Sequence, residues 1–372
     1  MRQGITLFAQ IQAFLSRPVF QSAVDACHGD RKVHQITCWS HVLYHLLAVL
    51  SGQRSLRHME QSHGGRGTYL AQFGLNSVKR ASASHANQAR PWTVLTALLE
   101  DLLARCRQVA PPHPLAFSGR LLSIDATVIH VCHTLQKWAL WAEGRAGVKL
   151  HIALDHGGNW PAIIDITSAR VYDRTAAKRW SFPPDTVICF DRGYFDCGWF
   201  AELARHKVTF VTLRSYDARY VVVHARPVAA NGPVRADETI RFAGKTSAHK
   251  FKGMLRLITY RKPNGTVLQV LTNQMDWDAE RVADIYHARW RIELFFKWLK
   301  HQLPVLHFYG NDENAVRWQL LVALCAYLLL SWLAFLHRWT GSLTPLLRRV
   351  TAYLFDRVAL VDLLAGSYQF QP

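Results

Sequence analysis

The first hundred residues follow the hydrophobic repeat of amphipathic helices. Apolar side chains recur every three or four positions in "SHVLYHLLAVLSG" and "WTVLTALLEDLLARC", and Gly-containing breaks such as "GQRS" and "SHGGRG" separate the runs. We therefore predict an all-α N-terminal domain over residues 1–108. The Pro-rich stretch "VAPPHPLAFSG" predicts a linker over residues 109–119.

After the linker the pattern changes to that of strands. "RLLSIDATVIHV" predicts one strand, and "VKLHIALDHGGNWPAIIDITSARV" predicts a hairpin. The helix "RTAAKRW" then precedes the buried strand "DTVICFD", and the helix "WFAELARH" precedes the buried strand "VTFVTLR". The order of three strands, helix, strand, helix and strand predicts a mixed sheet with helices on its faces.

Two further segments complete the expected organisation. Short strands and turns such as "PNGT" predict an antiparallel β insertion at about 215–275, and the pattern is helical from Asp278 onward. We expect an α/β core over residues 120–340 and a helical tail over residues 341–372. The run "LLVALCAYLLLSWLAFL" fits either a buried helix or a short membrane span, and we favour the buried helix and expect no membrane partner.

Composition narrows the class of partner. Hydrophobic residues make up 50% of the 372 positions, which excludes a disordered chain. The formal charge of +18 indicates nucleic acid or, less often, an anionic membrane surface, although ribosome-associated and heparin-binding proteins share such a charge. The seven cysteines form no CxxC pair, which argues against a zinc site or a disulfide framework and suits a reduced cytoplasmic protein.

The N-terminal region contributes to this charge. Residues 1–108 hold 12 Lys and Arg against 5 Asp and Glu, a surplus of 7. The stretch "FGLNSVKRASASHANQARPW" places a Gly-containing turn before a short helix of small and basic residues, with Lys79, Arg80 and Arg90 as its cations. This is compatible with a helix-turn-helix, and an ordinary helical bundle with exposed arginines fits equally well.

Two predicted strands each contain an Asp inside an apolar run: Asp125 in "LLSIDATVI" and Asp191 in "TVICFDRGYF". A buried carboxylate is costly unless it has a partner or binds a cation. One such residue is ordinarily a structural hydrogen-bonding group, whereas two in consecutive core strands indicate a shared cation site. Oxygen ligands favour Mg²⁺ or Mn²⁺ over zinc.

The helical stretch "YHARWRIELFFKWLK", residues 286–300, surrounds one acid with cations. At about 100° per residue, Tyr286, Arg289, Glu293 and Lys300 fall within an arc of roughly 60° beside an apolar stripe. Glu293 is therefore either a surface salt-bridge partner or directed at the same place as the two Asp residues. On that arc, Arg and Lys also suit the binding of phosphates.

These residues resemble a known family. Tyr286, Arg289, Glu293 and Lys300 match the Y-(2)-R-(3)-E-(6)-K (YREK) signature of bacterial insertion-sequence DDE transposases of the family numbered four. "SIDATVI" and "CFDRGYFD" are similar to the two Asp motifs of that family, with Ala126 as a small departure. The resemblance covers nearly the whole chain, including the helical N-terminal region and the β insertion.

The resemblance implies a ribonuclease-H-like fold with a β-strand insertion and a preceding all-α domain that binds DNA. It implies Asp125, Asp191 and Glu293 as catalytic ligands of two divalent ions, Mg²⁺ or Mn²⁺, and Tyr286, Arg289 and Lys300 as contacts to DNA phosphates. The expected activity is cut-and-paste transposition on double-stranded DNA, both transposon ends and target, by a homodimer in the bacterial cytoplasm at the nucleoid. The alternatives are a ribonuclease-H-like nuclease without strand transfer and a non-catalytic DNA-binding regulator.

Overall fold

The computed structural model describes residues 4–33, 35–109, 115, 119–131, 137–143 and 145–364. Most of the predicted linker, Cys132 and the last eight residues of the expected tail therefore lie outside the described residues. Two compact units are present. The helical unit comprises Met1–Ala110, Ile129–Gly147 and Phe296–Pro372, and the sheet unit comprises Pro111–Val128 and Val148–Phe295.

Helices and strands follow each other largely as the hydrophobic pattern predicts. The helices are α1 (Leu7–Gln12), α2 (Arg17–Ala26), α3 (Cys38–Leu50), α4 (Leu56–Gly64), α5 (Gly67–Ala71), α6 (Arg80–Ala89), α7 (Val94–Gln108), α8 (Asp173–Ala177), α9 (Cys197–Arg205), α10 (Lys245–Lys250), α11 (Ala279–Ala288), α12 (Trp290–Gln302), α13 (Glu313–Leu336), α14 (Leu343–Tyr353) and α15 (Leu360–Leu364). The strands are β1 (Leu121–Val131), β2 (Leu140–Ala142), β3 (Arg145–Asp155), β4 (Trp160–Ser168), β5 (Val187–Phe190), β6 (Thr209–Leu213), β7 (Tyr220–Arg226), β8 (Val234–Phe242), β9 (Leu255–Arg261) and β10 (Val267–Thr272). The pattern did not predict β2 or α10.

The helical unit is built around α13. This helix is long and apolar enough to span a membrane, yet 83% of its most apolar 18-residue stretch is buried inside the structure. Helices α3, α6, α7 and α14 pack against it. Burial against these neighbours accounts for the apolar character of α13, as expected for the core helix of a domain.

The sheet unit has the mixed order expected for a ribonuclease-H-like fold. The strands run β3-β1-β5-β6-β10-β9-β8-β7, and β4 pairs antiparallel with β3. The central strands are parallel, because β1 pairs with β5 and β5 pairs with β6 in that sense. The predicted β insertion extends the same sheet, since β10 lies antiparallel to β6 and β7 to β9 continue the ladder. The predicted α/β fold with a β insertion is confirmed.

Helices cover both faces of this sheet. On one face, Phe200 of α9 packs against Phe190 and Phe210 of the sheet in a cluster of aromatic rings. On the other face, α11 packs Val282 and Ile285 against the sheet. Because side chains alternate along a strand, Asp125 and Asp191 share the face of Leu121 and Val187, which α11 covers.

The helix predicted over residues 286–300 is interrupted. Arg289 lies between α11 and α12, and hydrogen bonds spanning three residues run from its N–H to the Tyr286 carbonyl and from the Ile292 N–H to the Arg289 carbonyl. This local tightening, typical of a 3₁₀ turn, ends one helix and starts the next. The helix is therefore not continuous at Arg289, although Arg289 keeps an i,i+4 salt bridge with Glu293, and Glu293 and Lys300 share one continuous helix.

Contacts group the chain differently from the expected domain boundaries. The helices after Phe296 belong with the N-terminal helices, whereas we expected the core to continue to residue 340. The boundary between the units falls inside α12, so Glu293 is in the sheet unit and Lys300 in the helical unit. The DNA-binding role assigned to residues 1–108 stays a prediction.

Candidate active site

The register of two parallel strands brings Asp125 and Asp191 together. Ile124 in β1 is the partner of Phe190 in β5, and each Asp is the next residue along its strand. Neighbouring strands lie about 4.8 Å apart, so the two carboxylates leave the sheet side by side. Asp191 directly follows the carboxyl end of β5, a usual place for ligand sites in α/β proteins, and Asp125 lies inside β1 just after the residues that pair with β5.

Each Asp is oriented by its own backbone. The Ala126 N–H donates to Asp125 Oδ1 at 2.8 Å. The Gly193 N–H donates to Asp191 Oδ1 at 2.9 Å, and a Cβ at Gly193 would lie only 3.1 Å from the same oxygen. A glycine at this position lets the backbone approach the carboxylate closely. One oxygen of each Asp therefore accepts a hydrogen bond from a neighbouring backbone N–H, and the second oxygen does not take part in that bond.

Arg289 connects Glu293 to this pair. Its guanidinium lies 2.6 Å from Glu293 Oε1 and 3.9 Å from Asp125 Oδ2. The salt bridge foreseen for Glu293 exists, but the same arginine also reaches Asp125. Arg289 is 14% exposed, and its ion pairs with carboxylates hold its charge. Asp125, Glu293 and their counter-charge thus form one ionic group.

Asp125 has a carboxyl group whose ionised form is disfavoured by its surroundings. Burial, together with the negative charges of Asp191 and Glu293, raises the pKa of Asp125 to about 6, against the hydrogen bond from Ala126 and the charge of Arg289. A carboxylate shifted in this way is characteristic of functional sites. An added cation would favour the ionised form of all three acids.

The donor chemistry fits a hard divalent cation. The three acids supply only oxygen ligands, and the side chains of Asp125 and Glu293 are 23% and 34% exposed, so a cation can reach them. Among the described residues, no group of three or more His, Cys, Asp or Glu is already placed to hold a metal. In this conformation Glu293 is directed at Arg289.

The other predicted phosphate contacts occupy different environments. Tyr286, on α11, is 9% exposed and packs into the core between this helix and the sheet, where burial raises the pKa of its hydroxyl. Lys300 is half-buried on the second half of α12, and burial lowers its pKa. The predicted roles of Tyr286, Arg289 and Lys300 toward DNA stay predictions.

Sequence reasoning assigned no role to three further residues, although it included Tyr194 in the motif around Asp191. Tyr194 is 2% exposed, and within the described part of the chain its hydroxyl has no hydrogen-bond partner. Burial raises the pKa of Tyr194, and the charges of Asp125, Asp173 and Asp191 add to this effect. Lys149 Nζ lies 2.9 Å from Asp173 Oδ1. The signals were a Tyr three residues after Asp191 and a Lys inside the apolar strand "VKLHIALD".

Comparison with known proteins identifies the family. Residues 116–329, more than half of the chain, match the family model described as "Transposase DDE domain". The chain belongs to this family of DDE transposases. It is therefore a DNA transposase, and its matched region contains Asp125, Asp191 and Glu293. Residues 3–76 match a second model, described as a domain of unknown function, DUF4372.

Individual relatives agree with the family. The chain is 34% identical over 241 residues to "Putative transposase y4zB" of Sinorhizobium fredii, covering 63% of this chain and 66% of that protein. It is 28% identical over 342 residues to "Probable transposase for insertion sequence element IS5377" of Geobacillus stearothermophilus, covering 90% of this chain and 86% of the relative. The predicted membership among bacterial insertion-sequence DDE transposases is confirmed.

Proposed function

We propose that this transposase moves an insertion sequence by cut-and-paste transposition. It binds the terminal inverted repeats of the element, cleaves the DNA there and joins the freed ends to target DNA. The observation that carries the proposal is the juxtaposition of Asp125 and Asp191 on parallel strands, with Arg289 extending from Asp125 to Glu293. Carboxylates grouped in this way suit metal-dependent phosphoryl transfer.

Asp125, Asp191 and Glu293 are proposed to hold two divalent ions, Mg²⁺ or Mn²⁺. When bound, such ions activate the attacking oxygen and stabilise the leaving oxygen. The hydrogen bonds from Ala126 and Gly193 leave the second oxygen of each Asp available for a cation. For Glu293 to join them, its carboxylate has to exchange Arg289 for the cation.

Once it no longer pairs with Glu293, the guanidinium of Arg289 is proposed to bind a DNA phosphate. Arg289 stands beside the carboxylates, so a DNA phosphate at the site would lie within its reach, and an arginine fork binds phosphate with two parallel hydrogen bonds. Lys300 lies two turns beyond Glu293 on α12 and is proposed to hold a phosphate farther along the strand. Tyr286 supports Arg289 from below, since the guanidinium lies 5.8 Å from the centre of its ring.

The proposed partners are double-stranded DNA at the transposon ends and at the target. Two ends are joined in one event, which favours a homodimer in the synaptic complex. We place the protein in the bacterial cytoplasm at the nucleoid, where its charge of +18 suits a polyanionic substrate.

The test is an excision and joining assay with the full-length protein. A supercoiled plasmid carrying the element with both ends is incubated with Mg²⁺ and a second plasmid as target. We expect released element with 3′-hydroxyl ends and joined products in the target, and no product from Asp191→Asn. Cleavage without joining would instead support a nuclease, and end binding without cleavage by the wild type would support a DNA-binding regulator.

A further inference from the structure

A positively charged cavity lies in the helical unit, and none of the three site carboxylates lines it. It has a volume of about 890 Å³ and lies between the turns of residues 27–36 and helix α6. Four exposed residues with basic side chains line it: His28, Arg31, Lys32 and His85. No Asp or Glu is among the described residues that line it. We call this cavity the α6 groove.

The wall formed by the turns is fixed at several points. Asp30 Oδ1 accepts a hydrogen bond of 2.6 Å from the Cys38 N–H, which ties the turns to α3. A Cβ at Gly29 would lie 3.0 Å from Cys38 Sγ and 3.3 Å from Pro91 Cγ, so a glycine is needed for this close approach. Arg31 and Lys32 are therefore displayed by a wall that is already ordered.

Arg90 plays a structural part here. It is 9% exposed, and its Nε donates to the Ile36 carbonyl at 2.8 Å, so it links the end of α6 to the opposite wall. The expectation that Arg90 adds to an exposed basic cluster is therefore wrong. The exposed cations beside α6 are Lys79 and Arg80 at its start and Arg31 and Lys32 across the groove.

The inner face of α6 is held by a buried polar network. His41 Nε2 and His45 Nε2 each lie 2.8 Å from Asn87 Oδ1, and Asn87 Nδ2 donates to the Tyr309 carbonyl at 3.2 Å. Asn314 Nδ2 donates to the Asn87 carbonyl at 2.7 Å. Since each of these side chains lies in the helical unit, α6 is fixed in orientation before any partner binds.

The outer face of α6 is polar. Ala81, His85, Gln88 and Ala89 are exposed and Ser84 is half-exposed, so this face offers small side chains together with two that can form hydrogen bonds. The helix is ten residues long and follows a turn in which Gly74 has a φ of +70°. A helix of this kind fits the major groove of B-DNA, which is about 12 Å wide.

We propose that the α6 groove binds double-stranded DNA, with α6 in the major groove and Arg31 and Lys32 on the flanking phosphates. The inference rests on the proposed function, because the duplex is an end of the element. A polymer suits the site better than a single phosphate, since the cations continue beyond the groove to Lys79 and Arg80. His85, exposed on the groove side of α6, is placed to read base edges.

The experiment measures end binding by the full-length protein in EDTA, using a fluorescent duplex copied from one end of the element. Replacing both Arg31 and Lys32 by Ala should weaken binding at least about tenfold and reduce the slope of log affinity against log salt by about 2, because each lost phosphate contact contributes about 0.9. The matched control is Arg348→Ala with Arg357→Ala, which removes two exposed arginines of the same unit outside the groove. The control should keep wild-type affinity and slope.

A second variant tests whether blocking the groove weakens DNA binding when the charge of the protein is unchanged. Ala81→Trp fills the groove from an exposed position without changing the charge, and it should also weaken end binding while the melting temperature stays at the wild-type value. If the Arg31 and Lys32 variant binds like the control, or if Ala81→Trp binds like the wild type, the groove assignment is wrong. A wild-type protein that does not prefer the end duplex over a scrambled duplex would overturn the groove and the proposed function together.

Discussion

The Asp125→Asn substitution is expected to stabilise the protein while abolishing its cleavage of DNA. Asp125 is buried beside Asp191 and Glu293, and burial together with these charges raises its pKa from 3.8 to about 6. Asn has the same shape and no charge, and its Oδ1 can still accept the hydrogen bond from the Ala126 N–H. The ionisation cost is removed and the local geometry is kept.

The size of the effect follows from the pKa. A shift of roughly two units at about 1.4 kcal/mol per unit corresponds to about 3 kcal/mol at pH values well above 6. The folded protein holds the proton of Asp125 more tightly than the unfolded chain does. Its contribution to stability is therefore complete below pH 3.8 and is lost as the pH rises through about 6. Asp125→Asn should gain nothing near pH 4 and about 3 kcal/mol at pH 8.

Thermal melts in EDTA at pH 4, 6 and 8 measure this difference. For a unit of this size about 3 kcal/mol corresponds to a rise in melting temperature of roughly 5 to 10 °C. Asp185→Asn is the matched control, since Asp185 is exposed and its φ of 64° suits Asn. The control should change little at any pH.

The reasoning is refuted if Asp125→Asn and the wild type melt alike at pH 8, or if the gain is equally large at pH 4. Either result would mean that the ionised carboxylate is not destabilised by its surroundings. Asp125 would then be an ordinary structural acid.

Three further predictions concern the neighbours of the site and the core of the helical unit. Arg289→Ala should abolish end cleavage and lower the melting temperature at pH 8 in EDTA, because Asp125 and Glu293 lose their counter-charge. Lys300→Ala should also abolish cleavage but leave the melting temperature unchanged. Tyr194→Phe should melt like the wild type but need a higher Mg²⁺ concentration for half-maximal cleavage, since its buried hydroxyl lies near the carboxylates; an unchanged Mg²⁺ requirement would reduce Tyr194 to a packing residue. Burial lowers the pKa of His45 to about 4, so stability present above pH 6.5 should be lost as the pH falls toward 4, and His45→Gln should flatten that loss in a melt series.

The hydrophobic pattern was sufficient to predict most strands and helices. The apolar run "LLSIDATVI" predicted β1, and the continuous apolar run before Asp191 predicted β5. Both Asp residues stand out because a carboxylate interrupts an apolar run. The pairing of β1 with β5 and the register that sets Asp125 beside Asp191 depend on contacts between residues far apart in the chain, which a local pattern does not specify.

Other features were missed for similar reasons. No Pro or Gly near Arg289 predicts the break in the helix. The break occurs where the arginine is buried against acids from β1 and α12. Arg90 looks like a surface cation in sequence, but a carbonyl from the opposite wall of the α6 groove binds it. Strand β2, three residues long, is too short for a periodic signal.

Cleavage compared with end binding tests the central claim most directly. Wild type, Asp125→Asn, Asp191→Asn and Glu293→Gln are each brought to saturation on the same end duplex, and strand cleavage is followed after addition of Mg²⁺. We expect the wild type to leave 3′-hydroxyl ends, and each variant to bind the duplex like the wild type without cutting it. A variant that cuts at close to the wild-type rate would contradict the assignment of that carboxylate to the catalytic centre.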